Sequence, residues 1–356
     1  MKKGSILILL IFLSVTYFPQ KQDSFPVYLE GIKVKDLSLD EGKIWIATEG
    51  NGIYLFYPKE NRFRNFSTKN GKVSNDLFYA IKSGKKYVLA GSIDGLFIYD
   101  KRRRRWIKRK FGQGGQLSNY IRTIELDKTN NIFWIGRFQY LTKFDIRKRR
   151  FKDIDLTIRG ENKTNSVTSL KIDYENNLLW VGTEAGLFRI DLSGDFTSPE
   201  NRVFFNKRLN YFPGAGDKIS VSSLLFERNY VWIGCDEYYS KENPNYNNGG
   251  LYRYDNAIEW IRYDKNNGLP ANGISALTRI GNYIFVGVYQ FGLNSKKEFG
   301  RGIAVINRVT GKVFQIADES LSEKINAMLF DGKNLWVATD NGLVKVTITN
   351  KLLNWR

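Results

Sequence analysis

Along the chain, apolar and polar positions repeat one unit seven times. An apolar run, usually carrying an aromatic residue, breaks at Gly-Thr or a variant of it. The chain then turns and resumes as Gly-Leu followed by a strand of alternating polarity, the period-2 signature of β-structure. The stretch from Leu179 to Asp191 shows the unit most clearly, and the positions aligned with Trp180 are Trp45, Leu89, Trp134, Trp232, Phe285 and Trp336. Their spacing, roughly 44 to 53 residues, suits a supersecondary unit of four short strands. In the first unit the strands are expected at residues 34–39, 43–48, 53–57 and 63–66. They are separated by Asp40-Glu41-Gly42, Glu49-Gly50-Asn51-Gly52 and Pro58-Lys59-Glu60-Asn61, all turn chemistry. Beyond the amino-terminal region no segment longer than a few residues has a helical period. The expectation is an all-β chain: a seven-bladed β-propeller of four-stranded antiparallel blades, one domain over residues 24–356.

Alternation places Trp180 and its equivalents on one face of their strands, where wide rings suit the packing between blades. Gly182 and Gly186 stand where the backbone must approach closely or turn. Seven blades need seven outer strands, and six of them fall between successive units. Two segments compete for the seventh, Phe25-Pro26-Val27-Tyr28-Leu29 and Lys351-Leu352-Leu353-Asn354-Trp355. The amino-terminal one is expected to close the ring, because it ties both chain ends into one blade and covers exposed edges. Pro26 fits an outer edge, where a missing N–H costs least.

The repeats resemble the two-component regulator propeller family, whose pattern is Leu-Trp-Ile-Gly-Thr, a short turn, Gly-Leu-x-x-Tyr-Asp, Phe-x-x-Tyr and Gly-Leu-Pro. Here the matching residues are Val231-Trp232-Ile233-Gly234, Gly250-Leu251-Tyr252-Arg253-Tyr254-Asp255, and Trp260-Ile261-Arg262-Tyr263 leading to Gly268-Leu269-Pro270. The resemblance covers roughly residues 25–355. It implies a propeller of the kind found in extracytoplasmic sensor halves of membrane histidine kinases, where such domains are thought to recognise glycans. Unlike that arrangement, this sequence carries no kinase, so a stand-alone propeller acting by itself or through a partner is expected.

Lys2 and Lys3 followed by the apolar run from Ile6 to Leu13 have the charged-then-apolar pattern of a secretory signal, expected over residues 1–22. Export to a periplasmic or extracellular setting follows. The chain has no histidine and a single cysteine, Cys235, so it can form no Ser-His-Asp set, no Cys-His pair and no intrachain disulfide. No catalytic residue, metal or cofactor is expected. Glu49, Glu184 and Asp340 recur at equivalent turns, which points to turn chemistry and not to an acid–base pair. One enzyme class tolerates the lack of histidine, a polysaccharide lyase using Tyr or Lys as base with Arg against a uronate. Lyase propellers of the streptogramin type, by resemblance, rely on histidine and fit poorly.

Departures from the repeat mark the candidate site. Most units close the turn between their second and third strands in three or four residues. The fifth instead spends Cys235 to Gly249 and the sixth Val288 to Arg301, as two long loops side by side on one face. Tyr238, Tyr239, Tyr289, Phe291 and Arg301 in these loops are expected to be exposed and to stack on sugar rings. Arg137 and Tyr140, which replace the Gly-Thr turn of the third unit, join them. The net charge of +19 is concentrated, since residues 101–150 hold sixteen Lys and Arg against Glu125, Asp127 and Asp145. Arg102, Arg103, Arg104 and Arg105, with Arg147, Lys148, Arg149 and Arg150, fall near turns between third and fourth strands, on the face opposite the long loops. A patch of this kind attracts anionic polysaccharide or lipid headgroups. Nucleic acid is not expected, given the export signal and no nucleic-acid motif. The sequence therefore reads as an exported, non-catalytic binding propeller for an acidic glycan or other anionic surface. The alternatives are the lyase and a scaffold that binds a membrane signalling or envelope protein.

Overall fold

A computed structural model of the protein describes residues 24–349 apart from 113–114, 208–210, 229, 256–258 and 317. The expected leader at residues 1–22 and the segment Lys351–Trp355 lie outside the described residues. Seven four-stranded antiparallel sheets form the blades of a propeller, as the repeats predicted. The first six blades span residues 34–66, 78–109, 121–154, 167–205, 221–263 and 273–316, each running from inner to outer strand in chain order. The seventh is built from Ile325–Phe330, Asn334–Thr339 and Gly342–Thr347, and its outer strand is Val27–Tyr28. Val27 pairs with Val344 and Tyr28 with Leu343, so the amino-terminal strand closes the ring. In the first blade the strands are Val34–Asp40, Lys43–Thr48, Ile53–Tyr57 and Arg62–Phe66, within one residue of the sequence reading. Helical structure among the described residues is limited to single 3-10 turns, and no helix there is long and apolar enough to cross a membrane.

The residues of the repeat have separable physical roles. Trp45, Trp134, Trp180, Trp232 and Trp336, with Leu89 and Phe285, are all buried. Trp180 packs against Phe205 of its own blade and, across the blade boundary, against Tyr254, with ring centroids 6.0 and 6.4 Å away. The glycine two residues later is required by the next blade. A side chain on Gly182 would meet Val221 at 2.6 Å, and one on Gly234 would meet Ile274 at 2.6 Å. Gly186 is needed for a second reason, its φ of +146°, which L side chains rarely adopt. Each inner strand also carries one register shift at an equivalent place, as between Val34 and Asp36 or Ile121 and Thr123. A bulge there re-aims the extra residue of the strand.

The inner strands carry charge near the axis on successive blades. Lys82 and Glu125 form an ion pair at 3.0 Å. Asp36 accepts hydrogen bonds from the N–H groups of Ile81 (2.7 Å) and Leu37 (2.8 Å), and burial lifts its pKa to about 6. The folded carboxyl thus holds its proton to a higher pH than the unfolded one. Stability attributable to it is greatest below the unfolded value of 3.8 and falls as pH rises toward 6. Asp36→Asn should therefore raise stability near neutral pH, by at most about 3 kcal/mol, and lose that advantage in acid. The check is Tm against pH for both proteins; a gap independent of pH would rule out this origin.

Candidate functional site

The turn between second and third strands sets two blades apart from the rest and marks the candidate site. In four blades the residue ending the second strand is Thr or Ser, and its hydroxyl donates across the turn to a glycine carbonyl. The pairs are Thr48–Gly52 (2.6 Å), Ser92–Gly95 (2.9 Å), Thr183–Gly186 (2.9 Å) and Thr339–Gly342 (3.0 Å). This bond shuts the hairpin at its shortest length. Blades five and six have Cys235 and Val288 in its place, a weak donor and none at all. Here the ladder continues, so the two expected loops are in fact extended hairpins. Tyr230–Tyr238 pairs with Asn247–Tyr254, and Tyr283–Gly292 with Lys297–Asn307.

The two hairpins lean on each other. Tyr239 donates its hydroxyl to the Phe291 carbonyl (2.9 Å), and the Phe291 N–H donates to Glu237 Oε2 (2.8 Å). The Tyr238 and Phe291 rings lie 4.9 Å apart. Beneath them Tyr289 donates to Asp236 Oδ1 (3.1 Å) while accepting from the Glu237 N–H (3.2 Å), and Ser220 donates to Asp236 Oδ2 (2.6 Å). The hairpin of blade five also reaches sideways, where Lys163 donates to the Tyr246 hydroxyl (3.1 Å). Between these walls and the axis opens a cavity of about 930 Å³, lined from Arg122 on blade three round to Lys324 before blade seven.

Ion pairs rim this cavity. Arg122, the bulged residue of its strand, bonds Glu184 at 2.5 Å and the Ser166 hydroxyl at 3.0 Å. Lys324 pairs with Glu298 and lies 4.8 Å from the centre of the Tyr289 ring. The acids at equivalent turns therefore do more than shape turns. Glu184 meets Arg122, while Glu49 and Asp340 both approach Lys35 at 3.5 and 3.9 Å. Asp236 stands at the same place in blade five. Burial pushes its carboxyl up, opposed by the Ser220 hydroxyl, Lys324 and the Tyr289 hydroxyl. Burial, with Asp236 adjacent, also drives the Tyr289 phenol well above its ordinary range.

Of the residues singled out in the sequence, Tyr238, Tyr289 and Phe291 line the cavity, but only Tyr238 is exposed, at 47%. Tyr289 and Phe291 were expected at the surface and are buried, because each hairpin covers the other. Tyr239 is half-buried and borders a neighbouring cavity of about 550 Å³. Arg301 is exposed but turns its guanidinium to Gln290 Oε1 at 2.6 Å, away from the main cavity. Arg137 is wholly buried, contrary to expectation. It pairs with Asp153 at 2.6 Å, donates to the Ser118 carbonyl at 3.0 Å and lies 4.2 Å over the Phe111 ring. Tyr140 takes the left-handed turn position, with φ +79°, and stacks under Arg137 at 5.3 Å. Both hold the third blade together. Sequence reasoning missed Arg122, Lys163, Glu184, Asp236, Glu298 and Lys324. The readable signal was positional, since Glu184 and Asp236 each follow the turn-closing residue.

At the other end of the axis, Arg102, Arg103, Arg104 and Arg105 share a surface with Arg147, Lys148, Arg149 and Arg150. All eight are exposed, at turns between third and fourth strands of adjacent blades. Among the described residues none of them forms an ion pair.

The chain matches no protein-family model and no curated protein. Solved structures do resemble it. One is an extracellular domain assigned to a one component system, BT4673 from B. thetaiotaomicron, with a TM-score of 0.67 and 20% identity over 91% of this chain and 40% of that one. Another is the extracellular domain assigned to a hybrid two component system, BT3049 from the same organism, with a TM-score of 0.68 and 16% identity over 93% and 42%. Virginiamycin B lyase from Staphylococcus aureus follows at 0.66 and 11% over 91% and 97%. At these identities the likeness establishes the propeller fold. The chain spans about two fifths of the length of the two extracellular domains. Those neighbours are of the kind that the repeat resemblance implied.

Proposed function

We propose that this chain is a non-catalytic binding propeller that works outside the cytoplasm and takes up an oligosaccharide in the cavity between the two extended hairpins. The observation that supports this most is Tyr238, an exposed ring at the edge of a roomy polar cavity, backed by Phe291 and flanked by paired charges. Sugars are held by such a combination, with an aromatic face for the apolar side of the ring and charge-assisted donors and acceptors for its hydroxyls. Arg122, Lys163 and Lys324 face Glu184, Asp236, Glu237 and Glu298 there, so the lining has no excess of positive charge, which favours a sugar without a net negative charge in the cavity. A lyase fares worse. Among the loop tyrosines that could serve as its base, Tyr289 donates a hydrogen bond to Asp236 and is pushed well above its ordinary pKa, which suits proton abstraction near neutral pH poorly. Export is supported by the amino-terminal signal pattern and by the extracellular setting of the structural neighbours.

A glycan array probed with the mature protein tests this reading, with the best-bound glycan then titrated against variants. Tyr238→Ala should weaken binding about tenfold at an unchanged Tm, because an exposed ring contributes little to stability. Phe291→Ala should weaken binding and also lower Tm, since its ring is buried between the hairpins. An array without signal, or a Tyr238→Ala protein that binds like wild type, would rule out the cavity as a glycan site.

A further inference from the structure

We infer that the arginine-rich end of the propeller docks on an anionic lipid bilayer, leaving the cavity at the opposite end open to solvent. The surface is built on two equivalent turns. In blade two it comprises Arg102 to Arg105, and in blade three Arg147 to Arg150. The outer strands behind these turns are in contact, for the Arg109 guanidinium lies 4.0 Å over the Phe151 ring. The acids within the turns face inward as backbone acceptors. Asp100 receives the N–H groups of Arg102 and Arg103 at 3.0 Å each, and Asp145 that of Lys148 at 2.9 Å. The cations are left to point outward.

Two of these cations occupy positions that backbone geometry would give to other residues. Arg104 and Arg149 have φ of +53° and +52°, and the equivalent residues in blades one and six are Asn61 and Gly311. Asn and Gly tolerate that left-handed conformation better than Arg does. Charge is therefore kept here against a local conformational preference. The rings nearest the patch offer no stacking face for a sugar. Trp106 packs inward on Tyr99 at 5.0 Å, and Phe151 is covered by Arg109. A set of exposed turn tips with dense positive charge and no aromatic platform matches the diffuse charge of a headgroup layer. Each basic residue near such a surface adds to the attraction, and salt weakens it.

The experiment is vesicle sedimentation with the mature protein. Vesicles of equal parts phosphatidylglycerol and phosphatidylcholine should bind it at low salt, and pure phosphatidylcholine vesicles should not. Replacing Arg103, Arg104, Arg149 and Arg150 by Glu should lower that binding by about a hundredfold or more. A gentler pair, Arg104→Asn with Arg149→Asn, should lower it about tenfold while leaving Tm equal to or above wild type, which separates charge from folding. Tyr238→Ala should bind vesicles like wild type, so this inference stands or falls apart from the cavity reading. No binding to the anionic vesicles, or equal binding by the reversed protein, overturns the inference. So does retention on an alginate matrix without vesicle binding, which would assign the surface to a polysaccharide.

Discussion

Deleting residues 24–30 should lower the free energy of unfolding by about 5 kcal/mol, the scale for withdrawing two or three large apolar side chains and a strand from a closed sheet. Tyr28 is the largest of these side chains. Its ring meets Phe56, Phe63 and Trp336, with centroids 5.4, 6.3 and 5.8 Å away, and so bridges the seventh blade to the first. The Pro26 carbonyl accepts from the Lys345 N–H at 2.9 Å, and Gly31 N–H donates to Asn341 Oδ1 at 3.0 Å. Without this strand, the edge of Gly342–Thr347 is left unpaired, and the seventh blade keeps only the packing of its other three strands against the first. An exposed edge of this kind also invites association between copies. The measurement is denaturant unfolding together with light scattering. A truncated protein with wild-type stability would mean that closure adds nothing.

Trp180→Ala should cost about 3–5 kcal/mol, the usual loss for a fully buried aromatic side chain cut back to a methyl group. Trp180 has no exposed surface and fills the space between Phe205, Tyr254 and Val221. A finer comparison separates packing from hydrogen bonding. The Trp336 indole donates to Asp331 Oδ2 at 2.7 Å, whereas the Trp180 indole N–H has no acceptor among the described residues. Trp336→Phe should therefore cost about 1 kcal/mol more than Trp180→Phe. Equal destabilisation of the two Phe variants would show that the indole hydrogen bond is worth nothing net.

The candidate site was only partly legible in the sequence. Lengthened connections in units five and six pointed to the end of the axis where the cavity opens, and Tyr238, which they carry, lies at its edge. Exposure could not be read from those connections, since whether Phe291 and Tyr289 face water depends on how two hairpins from different blades lean together. Arg137 misled for a related reason. A cation in a turn position suggests a surface site, yet Asp153 of the same blade, with Phe111 and Ser118 from the link that precedes it, buries and satisfies it.

The sequence by itself determined the blade count, the strands, the turn-forming positions and the charged turns of blades two and three. Those properties are local. Period-2 alternation, glycine at close approaches and a hydroxyl that closes a turn act within one unit and recur from copy to copy. The tertiary structure alone decided the cavity, where Arg122, Glu184, Asp236 and Lys324 converge from separate blades on one end of the axis. Nothing in the spacing of those residues encodes their meeting. It follows from closing seven twisted sheets into a ring, which brings the same end of neighbouring blades to a common mouth.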